Sequence, residues 1–323
     1  MLVERVRSWM EANQIAVYFA AIVLGMLAAF SIAGVEKLEW SINPALALML
    51  FVTFLQVPLS DLPKSFLSKR FLLCLLIVNF AIIPLIVAAL VMFLPADPML
   101  RLGVLLVLLT PCIDYVVTFT HLGRGDAKSL LAATPLLLIV QMLLLPLYLG
   151  VFLGPDASRL VEPEPFLHAF IWLIAVPLAL AGIVQARATR SSGIARFSSA
   201  LNLLPVPATA LVLFLVLAIV MPRVGQASAA ALAALPIYLI YAVVAPLCGW
   251  LAARAGRLGP QATLAVAFSA ATRNSLVVLP FAFAVPGGVP LIPAVIVTQT
   301  VVELLSELAY VRFLKLLPAR NGP

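Results

Sequence analysis

Two short stretches carry residues whose types can do chemistry. Residues 105–119 read LLVLLTPCIDYVVTF and residues 268–280 read FSAATRNSLVVLP. Each is an apolar run broken near its middle, by Thr110, Pro111, Cys112 and Asp114 in the first and by Thr272, Arg273, Asn274 and Ser275 in the second. Proline removes a helical N–H and clashes with the preceding turn, so Pro111 is a structural break. Unwound backbone exposes N–H and C=O groups, and half-helix ends add partial charges. Together these can bind a polar solute where side chains alone would be too few. A third set, Gln299, Glu303 and Glu307, is spaced by four and shares one helical face.

Asp114, Arg273, Glu303 and Glu307 lie well inside apolar runs. An ionised residue at the centre of a membrane helix costs roughly 2.5–3.5 kcal/mol on insertion scales, so such residues pair and point inward. The opposite charges of Asp114 and Arg273 at the two breaks predict a pair. Either solute or proton binding competes for it, or it is an ion pair that locks two helices. Glu303, near mid-span, and Asp114 are candidate proton carriers, with Gln299 on the same face. Glu307, a turn nearer the cytoplasm, shares that role or pairs with a basic group. Cys112 either meets a soft, thiophilic solute or fills space as a small apolar residue, as Cys74 and Cys248 read. Thr110, Asn274 and Ser275 complete the substrate-binding set.

Other chemistries find no support. His121 and His168 lie near span ends without metal-ligand spacing. The stretch VPGGVP has no following Lys and makes no phosphate loop. No serine neighbours His168 in a hydrolase arrangement. The expectation is a protein that is not an enzyme, with no cofactor and no metal, driven by a gradient or by downhill flow.

Apolar helices must position these groups. Of the 323 residues, 64% are hydrophobic and 10% charged, and the mean hydropathy is +1.17. A soluble chain cannot hide that much apolar surface, so the fold class is an all-α membrane protein, its helices embedded in a lipid bilayer. Ten candidate spans run over 14–34, 43–60, 71–94, 99–122, 128–153, 166–187, 200–222, 229–252, 261–284 and 290–314. With the N-terminus inside, fifteen Lys and Arg fall on the cytoplasmic side and four outside (Lys37, Arg101, Arg159 and Arg223), with Arg273 the twentieth. That asymmetry places both termini in the cytoplasm and explains the net charge of +7 without any nucleic acid. The expected location is the plasma (inner) membrane.

The polar loop GPDASRLVEPEPF divides the chain into two halves of five spans, 1–158 and 159–323. An odd number of spans per half gives the halves opposite orientations, the inverted-repeat plan of many secondary transporters. Span 3 (IVNFAIIPLIV) and span 8 (LIYAVVAPLCG) share a proline place. Spans 5 and 10 both put Gln six residues after Pro, at Pro135 and Gln141 and at Pro293 and Gln299. Spans 2 and 7 both open with Asn and an early Pro. In this scheme spans 4 and 9 are the broken, crossing helices.

These features resemble the bile acid/sodium symporter superfamily, and more closely its arsenical-resistance branch, the arsenite permeases. TPCIDYV followed by GRGD is similar to that branch's fourth-span cysteine motif, TRN stands at its "N-N" stretch, and VTQTVVELL is similar to the run before its glutamate. The resemblance covers essentially the whole chain. It implies efflux of arsenite or antimonite in exchange for protons, with Cys112 and Glu303 matching the permease cysteine and glutamate. The chain departs from the branch at Asp114, where the position is small and apolar, at Arg273, which replaces a neutral amide, and at Leu276, where a carboxylate is absent. Sodium sites of this fold resemble oxygen cages built by the crossing helices. A permanent guanidinium there opposes sodium and can stand in for it, which favours protons as coupling ion over sodium. The leading reading is therefore proton-coupled arsenite efflux by alternating access. The alternative is a sodium- or proton-coupled symporter in which Arg273 grips an organic anion.

Overall fold

The computed structural model describes residues 9–10, 13–56, 68–154, 163–225 and 227–317. Among these residues every regular element is helical, and eight helices are long and apolar enough to cross a membrane. The terminal tails, the end of the second expected span at 60 and the 158/159 boundary lie outside the described residues. The chain separates into two compact units, each drawn from both halves of the sequence.

One unit comprises Met1–Ser65 and Pro163–Gln226. It holds α1 (Gln14–Ser31), a 3-10 turn (Val35–Ser41), α2 (Ile42–Gln56), α8 (Pro163–Phe170), α9 (Val176–Ala188), α10 (Ser192–Leu201) and α11 (Pro205–Val224). A five-residue π turn at Ile171–Ala175 joins α8 to α9. The buried residues of α1, Tyr18, Ala21, Ile22, Gly25 and Ala29, recur at helical spacing and face α11. Gly25 permits the close approach, because a Cβ there would meet Phe214 O at 2.7 Å. Gln185 of α9 donates to the carbonyls of Phe54 and Leu55 at the end of α2. Arg223 pairs with Glu39 at 2.5 Å. The seventh span, expected to start at 200, begins instead at Pro205. Residues 192–201 form a separate short helix ending at Asn202, and proline at the first helical position starts α11 afresh.

The other unit comprises Phe66–Glu162 and Ala227–Pro323. It holds α3 (Lys69–Ile77) and α4 (Ile83–Val91), joined by a π turn at Val78–Ile82, then α5 (Pro98–Leu108), α6 (Tyr115–Leu122) and α7 (Ala127–Leu153). After these come α12 (Ser228–Ala255), α13 (Pro260–Ala271), α14 (Ser275–Ala284) and α15 (Leu291–Phe313). At Gly249 of α12 a Cβ would meet Ala270 Cβ at 2.7 Å, so α12 and α13 pack backbone to backbone. Two prolines inside helices free the carbonyl four residues earlier. Pro84 frees Phe80 O, which accepts from Tyr148 at 2.6 Å, and Pro246 frees Ala242 O, which accepts from Tyr310. Neighbouring helices thus re-satisfy the backbone that proline leaves open.

Candidate functional site at two facing helix breaks

The first break separates α5 from α6. The α5 helix ends at Leu108, Thr110 Oγ1 turns back to the carbonyls of Leu106 (2.9 Å) and Val107 (3.2 Å), and Pro111 has no N–H to continue the ladder. Asp114 then starts α6 as its N-cap, Oδ1 accepting from the Tyr115 amide at 2.6 Å. The second break separates α13 from α14 in the same way. Thr272 Oγ1 donates to Phe268 O at 2.7 Å, and Asn274 N-caps α14 through the Val277 amide at 3.3 Å.

The two breaks meet. Pro111 and Arg273 face each other in an antiparallel bridge. Cys112 N–H donates to Thr272 O at 3.1 Å, and Asn274 N–H donates to Thr110 O at 2.8 Å. Two unwound segments, buried in the protein interior, therefore satisfy each other's backbone.

The stripe on α15 closes over this junction, with Gln299, Glu303 and Glu307 all buried. Glu303 Oε2 accepts from the Arg273 amide at 2.6 Å and from Gln299 Nε2 at 2.5 Å, while Oε1 accepts from Tyr115 Oη at 2.7 Å. One carboxyl thus ties α15 to both breaks. Glu307 Oε1 is bonded to Thr272 Oγ1. Beside Glu303, a cavity of about 10 Å³, enough for one water, is lined by Tyr238, Tyr241, Gln299 and Tyr310 among others.

Arg273 and Asp114 are buried, but not as a pair. Among the described residues no ion pair joins them. The Arg273 guanidinium is fully enclosed and runs back along its own half-helix. Its Nη2 donates to Ser269 O, to Ala270 O at 2.9 Å and to Asn79 Oδ1 at 2.9 Å, and Nη1 reaches Leu108 O at 3.5 Å. The physical reason is helix polarity: a cation belongs at a helix C-terminus and a carboxylate at an N-terminus, and each charge serves the nearest end. In this state the guanidinium's Nη atoms are taken by protein oxygens, while its Nε has no partner among the described residues. Cys112 is fully buried, and its Sγ donates to Asp114 Oδ1 at 2.8 Å.

All ten predicted site residues come together here, and six of their buried side-chain polar atoms have no hydrogen-bond partner among the described residues. These are Asp114 Oδ2, Arg273 Nε, Asn274 Nδ2, Ser275 Oγ, Gln299 Oε1 and Glu307 Oε2. Such atoms are costly unless something binds them. Three contributors escaped the sequence reading. Asn79 sits in the π turn of the third span, where its Nδ2 also holds Leu75 O and Ser269 Oγ. Tyr115 binds Glu303, and Tyr241 donates to Ala270 O at 2.8 Å beneath the guanidinium. A lone Asn inside IVNFAIIPLIV was the available signal for the first; the tyrosines read as ordinary apolar residues.

Residues 43–230 match the model of the Sodium Bile acid symporter family. The chain matches no curated protein.

Proposed function

Because the chain belongs to the Sodium Bile acid symporter family, a family of sodium-coupled membrane transporters, we propose that it moves a small polar solute by alternating access through the junction of its two helix breaks. Membership makes the protein an integral, multi-pass membrane transporter and not an enzyme. The observation that carries the reading is the reciprocal backbone bridge of the two breaks, surrounded by buried polar atoms with no partner. Broken helices are where transporters place their substrates and coupling ions.

The reading includes an internal inverted repeat, which a common spacing supports. Thr110 and Thr272, Pro84 and Pro246, and Tyr148 and Tyr310 are each 162 residues apart, and each pair does the same job. The backbone bridge obeys the same offset, with Pro111 opposite Arg273. Counting each broken pair, α5 with α6 and α13 with α14, as one crossing brings the eight long helices to ten. In this reading the chain crosses ten times, and the Lys and Arg asymmetry supports both ends lying on the cytoplasmic side of the plasma membrane.

The test is a melting panel on purified protein with sodium, a bile acid, arsenite, antimonite and small organic anions across pH, followed by counterflow of any stabilising solute in vesicles. A true ligand stabilises the state it binds. No stabilising solute in the panel, or a stabilising solute without counterflow, defeats the reading. A second reading, efflux of arsenite or antimonite in exchange for protons, rests on Cys112 and Asp114 in contact at the junction. It requires arsenite counterflow that Cys112→Ser abolishes; unchanged counterflow removes the thiol from the mechanism.

A further inference from the structure

The guanidinium of Arg273 has an unusual set of neighbours for a buried cation. No carboxylate faces it within ion-pair distance among the described residues. Its hydrogen-bond acceptors are uncharged oxygens: the carbonyls of Ser269, Ala270 and Leu108 and the side-chain oxygen of Asn79. Leu108 is the last residue of α5, and Ser269 and Ala270 lie in the last turn of α13. Two helix C-termini, each with its partial negative charge, therefore converge on one point. Asn79 is aimed into the same point by the π turn at Val78–Ile82 and is itself fully buried. The Tyr241 ring completes the wall, its centroid 5.8 Å from the guanidinium carbon.

Converging half-helix ends and unwound carbonyls are the donor set with which transporters strip and hold a monovalent cation. A capping role alone needs the carbonyls of α13 only. It does not account for Leu108 from the other half-helix, or for an amide side chain brought in from a third segment. We propose that this is a monovalent-cation cage occupied by the protein's own tethered cation, and that removing the Arg273 side chain converts it into a site for free sodium. Sodium, the coupling ion of the family, finds this particular cage taken in the native chain. Asn79 is its one side-chain ligand.

The test uses full-length, detergent-purified protein and needs no transport, so it stands apart from the solute reading above. Parent, Arg273→Ala and Arg273→Lys are melted in sodium chloride and in choline chloride at an equal ionic strength of about 0.3 M, where exposed charges are screened. Arg273→Ala is expected to gain a sodium-specific rise in Tm of about 3 °C or more over the parent. Arg273→Lys, which keeps a tethered cation, is expected to gain none. Asn79→Ala in the Arg273→Ala background should halve the sodium response or abolish it. If Arg273→Ala does not survive purification in choline, it should do so in sodium. Equal melting of Arg273→Ala in the two salts, equal failure to fold in both, or the same sodium gain in Arg273→Lys each overturns the proposal.

Discussion

Glu303 receives hydrogen bonds from three places: the Tyr115 hydroxyl, the Arg273 amide and the Gln299 side chain. A buried acceptor that loses its donor costs about 1–3 kcal/mol. Tyr115→Phe, which changes nothing but the hydroxyl, should therefore lower Tm by several degrees; an unchanged melting curve would show that the contact contributes nothing. The residue types at this junction were readable in advance, because polar groups inside apolar runs stand out. Their partners were not. Opposite charges at equivalent breaks suggested that Asp114 and Arg273 pair, yet a long side chain can fold back three or four residues along its own helix. Arg273 does so onto Ser269 and Ala270. Tyr115 and Tyr241 carried no sequence signal at all, since a tyrosine in an apolar run looks the same whether its hydroxyl is bound or idle.

Prolines do positional work at the scale of elements. The carbonyls that Pro84 and Pro246 leave open are filled by Tyr148 and Tyr310 from other helices. If that is why the tyrosines are there, restoring the N–H should make them dispensable. A double-mutant cycle on Pro246→Ala and Tyr310→Phe should give a coupling of about 1 kcal/mol, the tyrosine mattering less once the helix satisfies its own carbonyl. Strict additivity would contradict this. The packing of α12 on α13 rests on Gly249, so Gly249→Leu should destabilise the protein by more than about 2 kcal/mol, read by thermal melting, because backbone atoms and Ala270 have nowhere to go. Apolar runs marked the long helices to within a few residues, and the proline spacing suggested the proposed repeat. The short helix α10 was missed because ten residues that mix serines, Arg196 and a few apolar side chains make no span signal. Matching Gln141 to Gln299 from their prolines gives an offset of 158, one turn short of the 162 that the tyrosines keep. Equal spacing from a proline therefore does not ensure an equal register.

For the whole molecule, the family match spans 43–230 and so includes the first break but stops before the second. The second half of the proposed site, from Thr272 to Glu307, therefore rests on the sequence pattern and the geometry and not on the family match. The central claim is that the unpartnered atoms at the bridge bind what is transported. Ser275 isolates it, because its buried hydroxyl bonds to nothing among the described residues and its loss should not weaken the fold. The direct measurement is vesicle counterflow by Ser275→Ala of the solute that stabilises the parent. Melting within about 2 °C of the parent, with counterflow down roughly tenfold for one lost hydrogen bond in a buried site, is the result predicted. Full counterflow from an equally stable Ser275→Ala protein would contradict it.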